Sequence, residues 1–207
     1  MAVKKIPVIS VILAGGRGVR MGGIGKASIL LGDIPLIQHV INRINKQVDN
    51  IVISGSLSDK DINNLGYEVI PDIFTENGGS GPLSGIHAGL TKAHQIYGYE
   101  SLVLTVPTDG PFLPKNLSST LMEAFLLKNN IKVSVSSSNG RIHPTTAMWS
   151  TSLLKPLESS LRDGIRKIDI FTNSYKTKIF EWDTTPDPFF NINTFEDLKT
   201  AEKMYNT

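Results

Sequence analysis
The chain has 207 residues, 40% of them hydrophobic and 19% charged, with a formal net charge of +2 and no cysteine. This length suits one well-buried domain, and so small a charge without a run of lysines or arginines argues against nucleic acid as a partner. The lack of cysteine excludes disulfides, thiolate catalysis and cysteine zinc sites; it fits a reducing compartment, so a cytoplasmic location is expected.

The N-terminal "MAVKKIPVISVILAGG" carries two lysines before an apolar run. The run is short, lacks a clean small-x-small exit and flows into glycines, so it reads as a first strand rather than a signal peptide. No segment approaches a transmembrane span, and no membrane partner is expected. Residues 7–13, 50–54, 67–70 and 101–106 are short, nearly continuous apolar runs, the pattern of strands buried on both faces of a parallel sheet. Helical patterns separate them. Leu36, Ile37, Val40, Ile41 and Ile44 form one stripe, with Asp33 and Pro35 suited to the helix start; Leu83, Ile86, Leu90 and Ala93 form another over 81–93; a third helix spans 113–129. Strands at 132–138 and 145–149 flank the turn "NGR" and suit an antiparallel pair. Helices near 151–162 and 165–173, a strand at 176–182 and a last helix opened by the capping-box pattern "TFED" (194–197) complete the chain. The expected fold is α/β: a Rossmann-like, doubly wound, mixed but mostly parallel sheet flanked by helices, in a single domain over 1–207.

Ligands of such sheets sit at the carboxyl ends of the strands. Leu13 ends the first strand, the loop begins at Ala14, and the stretch 11–31 holds six glycines, Arg17, Arg20 and Lys26. Glycines let consecutive N–H groups face one anion, and the three cations add charge, a combination that suits a triphosphate. The loop is not a P-loop: Arg20 stands where the first glycine belongs, and Ala27 follows the lysine. Nor is it a dinucleotide fingerprint, because Met21 follows Gly16 and Gly18 where that pattern needs glycine or alanine. Alone it also reads as a flexible basic surface loop. Asp109, in "PTDGPFLP" just past a buried strand, suits Mg²⁺ held against phosphate oxygens, and equally suits a turn aspartate bonding its own backbone.

"LAGGRGVRMGGIGK" (13–26) resembles the LAGG-x-x-x-RMGG-x-x-K signature of molybdenum cofactor guanylyltransferases. "PD" (71–72), "GPLSG" (81–85), "PTDGPFLP" (107–114), "HPTTAMW" (143–149) and "FFNINTFEDL" (189–198) resemble that family's later blocks in the same order, so the likeness runs from about Val8 to Glu202. The resemblance implies a nucleotide-diphospho-sugar-transferase-like fold and transfer of GMP from GTP to the terminal phosphate of molybdenum-bound molybdopterin, releasing pyrophosphate. It places catalysis on Lys26, Arg20 and Asp109, with Asp109 holding Mg²⁺. Nucleotide or cofactor contacts fall on Leu13, Ala14, Gly15, Gly16, Lys26, Ser54, Asp72, Gly81, Gly85 and Asp109, and Asn191 and Asn193 form a polar pair near the acceptor and the metal. The N-terminal half would bind GTP and the C-terminal half molybdopterin. Other proteins of cofactor biosynthesis or cofactor acceptance are candidate partners, and a monomer or weak oligomer is expected.

Three positions depart from the pattern. Gly25 stands where the family commonly has aspartate, Ser54 where some members carry asparagine, and Thr108 where cysteine is common. Two alternatives stay open: a related transferase using another nucleotide or acceptor (CTP with molybdopterin, or a sugar phosphate), and a non-catalytic homologue that binds nucleotide or cofactor. No covalent nucleophile is needed, in keeping with the missing cysteine and an expected lack of any Ser-His-Asp arrangement. His143 reads either as a residue by the acceptor cleft or as a structural turn histidine. Arg17 and Arg141 read as phosphate contacts or solvated charges. Trp149, Trp182, Phe189 and Phe190 read as packing residues.

Overall fold
The computed structural model describes residues 5–15, 25–55, 60–74, 81–126 and 130–205. In chain order the strands are β1 (Val8–Leu13), β2 (Leu30–Leu31), β3 (Ile34–Pro35), β4 (Asn50–Ser54), β5 (Glu68–Ile70), β6 (Leu102–Pro107), β7 (Val133–Ser138), β8 (Arg141–Ser150) and β9 (Thr177–Trp182). The helices are α1 (Leu36–Ile44), α2 (Lys60–Asn63), α3 (Gly81–Tyr97), α4 (Leu117–Leu126), α5 (Leu154–Arg162), α6 (Ile168–Thr172) and α7 (Phe195–Tyr205).

Seven strands form one sheet in the order β5-β4-β1-β6-β8-β7-β9. The first four in that order run parallel; β8 is antiparallel to β6 and β7, and β9 is parallel to β7. The chain winds outward from β1 to β4 and β5, then returns through α3 to the other side of β1 at β6. That reversal makes the β1–β6 boundary the switch point at which open α/β sheets bind ligands. Register levels the strand ends there: Leu13 pairs with both Ser54 and Pro107.

Residues alternate between two cores. Ile9 and Val11 join Val103, Val133 and Trp149 under α3 and α5. Val8 and Ile12 join Ile53, Leu104 and Met148 under α1 and α4. Both faces are covered, hence the nearly continuous apolar runs. Trp149 and Trp182 are packing residues, as expected: Trp149 is fully buried and its indole N–H donates to Thr105 Oγ1 at 3.0 Å, while Trp182 packs edge-on against Phe189.

Helix α3 rides unusually close to the sheet. A Cβ on Gly89 would lie 2.2 Å from Val11 Cγ2, and one on Gly85 would lie 2.6 Å from Ser54 Oγ and 2.7 Å from Leu13 Cδ2. Backbone against strand is the only fit, and it presses the start of α3 toward the ends of β1 and β4. Overpacking of this kind costs about 1–3 kcal/mol. Gly89→Ala should therefore lower Tm by about 5 °C, since a chain of this size loses about 2–4 °C per kcal/mol. An unchanged melting curve would show that α3 can lift off β1.

The turn "NGR" is a tight hairpin, with Asn139 (φ 51°) and Gly140 (φ 70°) both left-handed. β8 starts at Arg141, four residues earlier than its apolar run suggests, because a bulge interrupts it. Ala147 faces Val135 but His143 faces Ser136, leaving 144–146 out of register. Helix α1 begins at Leu36 with Pro35 before it; Asp33 instead belongs to the turn joining β2 and β3, where Gly32 is left-handed (φ 62°). Those two-residue strands are too short for periodicity to reveal. The third helix begins at Leu117, three residues past Pro114, rather than at 113. The first turn after β8 is 3₁₀ (Thr151–Leu153), and α6 is shorter than its apolar pattern. Among the described residues, no helix is long and apolar enough to cross a membrane.

Candidate nucleotide-binding site
A cleft of about 390 Å³ opens at the carboxyl ends of β1, β4 and β6. Leu13, Ala14, Gly15, Lys26, Ser54, Asp72, Gly81, Gly85, Asp109 and Asn191 line it, together with Pro82, Pro107, Thr108 and Thr145. Ten of the residues singled out in the sequence thus meet in one place. Gly16, Arg17 and Arg20 lie outside the described residues. Thr145 reaches the wall from the bulge of β8, a placement that no local pattern announces. A larger groove of about 560 Å³ over β7, β8 and β9 has an apolar floor of Val133, Val135, Ile142, Ala147 and Trp149, with no lysine or arginine among the described residues that line it.

The polar centre of the cleft is Lys26. It lies in the 3₁₀ turn Lys26–Ser28, and its ammonium donates to Asp109 Oδ2 at 2.7 Å and to Asn193 Oδ1 at 2.6 Å. The Lys26 and Asp109 side chains are only 25% and 13% exposed, so solvent screens this pair weakly. The other Asp109 oxygen, Oδ1, is buried and has no hydrogen-bond partner among the described residues. A buried, unpaired carboxylate oxygen is costly, which makes it a free ligand position for a hard cation. Among the described residues no group of three or more His, Cys, Asp or Glu side chains could hold a metal. A cation on Asp109 would therefore take most of its oxygens from bound phosphates and water, as Mg²⁺ commonly does.

The segment bearing Asn191 and Asn193 is fixed by backbone. Ile192 N–H donates to the Asp109 carbonyl at 2.9 Å, and the Ile192 side chain is fully buried beside Leu31 and Leu36. Asn191, one residue before it, lines the cleft, and its Oδ1 would lie 3.3 Å from a Cβ on Gly110; Asn193, one residue after, reaches Lys26. The capping box at "TFED" adds a second tether. Asp197 N–H donates to Thr194 Oγ1 at 3.1 Å, and Asp197 Oδ2 accepts from the N–H groups of Thr194 (2.8 Å) and Asn193 (2.9 Å). The Asn193 N–H is the largest favourable influence holding the Asp197 carboxyl below its usual range.

The opposite wall belongs to β4 and α3. Ser54 donates its hydroxyl to Asp72 Oδ1 at 2.6 Å, and Ala14 N–H donates to the Ser54 carbonyl at 2.8 Å. Gly81 starts α3 with φ 57°, and a Cβ there would lie 3.1 Å from the Arg166 carbonyl. Both glycines of "GPLSG" thus serve close approach, Gly81 to the loop before α6 and Gly85 to β1 and β4. The site combines bare backbone, one lysine and one carboxylate with a spare oxygen. That set can bind a metal-bound triphosphate and neutralise charge during phosphoryl chemistry.

Residues 10–175 match the family described as the MobA-like NTP transferase domain. The chain is 37% identical over 197 residues to a molybdenum cofactor guanylyltransferase of Rhodopseudomonas palustris (strain HaA2), covering 94% of this chain and 91% of that one. It is also 37% identical to one from Yersinia pestis (strain Pestoides F), covering 95% of each. Among solved structures, molybdopterin-guanine dinucleotide biosynthesis protein A from Archaeoglobus fulgidus superposes with a TM-score of 0.76 at 24% identity, over 96% of this chain and 98% of that one. A 4-diphosphocytidyl-2C-methyl-D-erythritol synthase from Anaerococcus prevotii gives 0.72 at 15% identity, over 98% and 97%; these two likenesses establish the fold, that of nucleotidyltransferases. With the family match and the 37%-identical relatives, they lead to one conclusion: the chain is a nucleotidyltransferase of the MobA-like family, in the branch of the molybdenum cofactor guanylyltransferases.

Proposed function
We propose that this chain transfers GMP from GTP to the terminal phosphate of molybdenum-bound molybdopterin, releasing pyrophosphate. The observation that carries the reading is the Lys26–Asp109 pair, with its spare carboxylate oxygen, at the sheet's switch point. Attack on the α-phosphorus brings two anions together, so catalysis is mainly positioning and charge neutralisation. Ala14 and Gly15 present backbone to the phosphates, Lys26 neutralises them, and Gly81 and Gly85 bring the start of α3 against the base. Asp109 would hold Mg²⁺, with Asn191 beside it; when bound, the ion clamps phosphate oxygens and stabilises the leaving pyrophosphate. Gly25 has φ −56°, a value any residue adopts, so the backbone does not impose the loss of a carboxylate beside Lys26.

Thermal stabilisation by GTP, CTP, ATP and UTP, each with and without Mg²⁺, tests the assignment. A nucleotide at 100 times its Kd adds about 2.7 kcal/mol. The expected result is a GTP-selective shift enlarged by Mg²⁺, followed by pyrophosphate release once molybdenum-bound molybdopterin is added. Selectivity for CTP would move the product to a cytidine dinucleotide. No shift with any nucleotide would remove the cleft as a nucleotide site.

A further inference from the structure
The block "HPTTAMW" (143–149) supplies a cleft residue that the roles assigned so far leave unused. Ser54, Leu13 and Pro107 are register partners across β4, β1 and β6, and all three line the cleft. On the far side of β6, Ala147 of the antiparallel β8 faces Thr105. Counting two places back from Ala147 and two forward from Thr105 brings Thr145 level with Pro107. Among the described residues of β8, Thr145 alone lines the cleft. Adjacent strands lie about 4.8 Å apart, so the four strand ends span roughly 14 Å from Ser54 to Thr145.

Both flanks of Thr145 are pinned. Ala147 is fully buried and faces Val135 as well as Thr105. Thr146 is buried, and its carbonyl accepts from Ser136 Oγ at 2.9 Å. On the other side, Ser138 Oγ lies 2.8 Å from both His143 Nε2 and Asp187 Oδ1. This Ser-His-Asp set, not expected from the sequence, is structural. A carboxylate only accepts, so the one serine proton goes to Asp187, and none of the three residues lines the cleft. Thr145, between these anchors, is half-buried, and its hydroxyl has no hydrogen-bond partner among the described residues. Thr105 is the contrast: its hydroxyl donates to the Ala147 carbonyl at 3.2 Å and accepts the Trp149 indole N–H. A fixed backbone with an idle hydroxyl at a cleft wall suits a ligand contact rather than packing.

The strand order β4-β1-β6-β8 says which ligand. Ala14 and Gly15 follow β1, Asp109 follows β6 with Lys26 bonded to it, and Thr145 stands across β6 from β1. In-line transfer needs the entering oxygen opposite the leaving one. With the leaving pyrophosphate at the backbone after β1 and the α-phosphorus at Asp109, the acceptor enters from β8. We propose that the Thr145 hydroxyl donates a hydrogen bond to the terminal phosphate of the acceptor and orients the oxygen that attacks. This rests on the guanylyltransferase reading. The attacking oxygen forms the bond to the α-phosphorus while the bond from the α-phosphorus to the bridging oxygen breaks, and pyrophosphate leaves with the electron pair. Thr145 keeps its proton throughout. Among the described lining residues the only cation is Lys26, already bonded to Asp109 and Asn193, so a neutral donor is what β8 offers the entering anion. A hydrogen bond from a neutral donor to a charged phosphate is among the stronger kinds.

The test follows pyrophosphate release with GTP and Mg²⁺ while molybdenum-bound molybdopterin is varied, in the parent chain, Thr145→Val and Thr145→Ser. Valine keeps the branched shape and loses the donor; serine keeps the donor and loses a methyl group. Thr145→Val should lower kcat/KM for the acceptor about tenfold or more, the effect of losing one hydrogen bond to a charged group, and Thr145→Ser should recover most of it. The KM for GTP and the GTP-induced thermal shift should match the parent in both variants, which also shows that they fold. Unchanged acceptor kinetics in Thr145→Val, a loss that falls on GTP as well, or a serine variant as poor as the valine one overturns the proposal. A parent that binds GTP but releases no pyrophosphate with this acceptor removes the guanylyltransferase reading instead, and the proposal with it.

Discussion

Asp109→Asn is expected to abolish turnover, a fall of about a thousand-fold or more, while leaving the fold in place. The substitution is isosteric, and the Asp109 backbone bond to Ile192 survives it, so Tm should move by only a few degrees. The electrostatics change entirely. Lys26 loses its counter-charge at 2.7 Å, and the spare oxygen loses the charge that would draw a cation. GTP should still bind through the glycine backbone, but addition of Mg²⁺ should no longer enlarge the thermal shift. Turnover within tenfold of the parent would exclude Asp109 as the metal ligand.

The second large effect belongs to Lys26→Met. A lysine–phosphate contact at about 4 Å, in an effective dielectric near 20, is worth roughly 4 kcal/mol before desolvation. Losing it also leaves Asp109 without its cation, so a bare carboxylate then faces the incoming triphosphate. Turnover should fall by about 100-fold or more, with a loss of GTP-induced stabilisation that Asp109→Asn does not share. Because the two groups act as one unit, the double variant should be little worse than Asp109→Asn alone. Additive losses would mean that Lys26 and Asp109 act separately.

How much of this was legible depended on how local each signal is. The parallel strands announced themselves as doubly buried apolar runs, "NGR" as a turn, and "TFED" as a cap; all three are patterns within a few residues. The cleft wall was legible in part because a strand's carboxyl end is predictable once the strand is, and Ala14, Gly15 and Asp109 follow strand ends within two residues, whereas Lys26 lies in a 3₁₀ turn farther along. The bond from Lys26 to Asn193 spans 167 residues and has no local signature; family likeness, not spacing, marked Asn193. The chain from His143 through Ser138 to Asp187 joins positions 5 and 49 residues apart, and its geometry depends on the three residues that β8 sets out of register. A bulge is a property of paired strands, so neither strand alone records it.

The tether between Lys26 and the segment just before α7 also bears on the order in which the chain is made. Synthesis supplies the glycine backbone, Lys26, Ser54, Asp72 and Asp109 well before Asn191 and Asn193, the latter bonded to Lys26 across 167 positions. A nascent chain that has not yet reached Asn193 has Asp109 to hold its lysine but lacks the second bond. The second bond on Lys26 therefore forms only after Asn193 has been made, later than every other wall of the cleft.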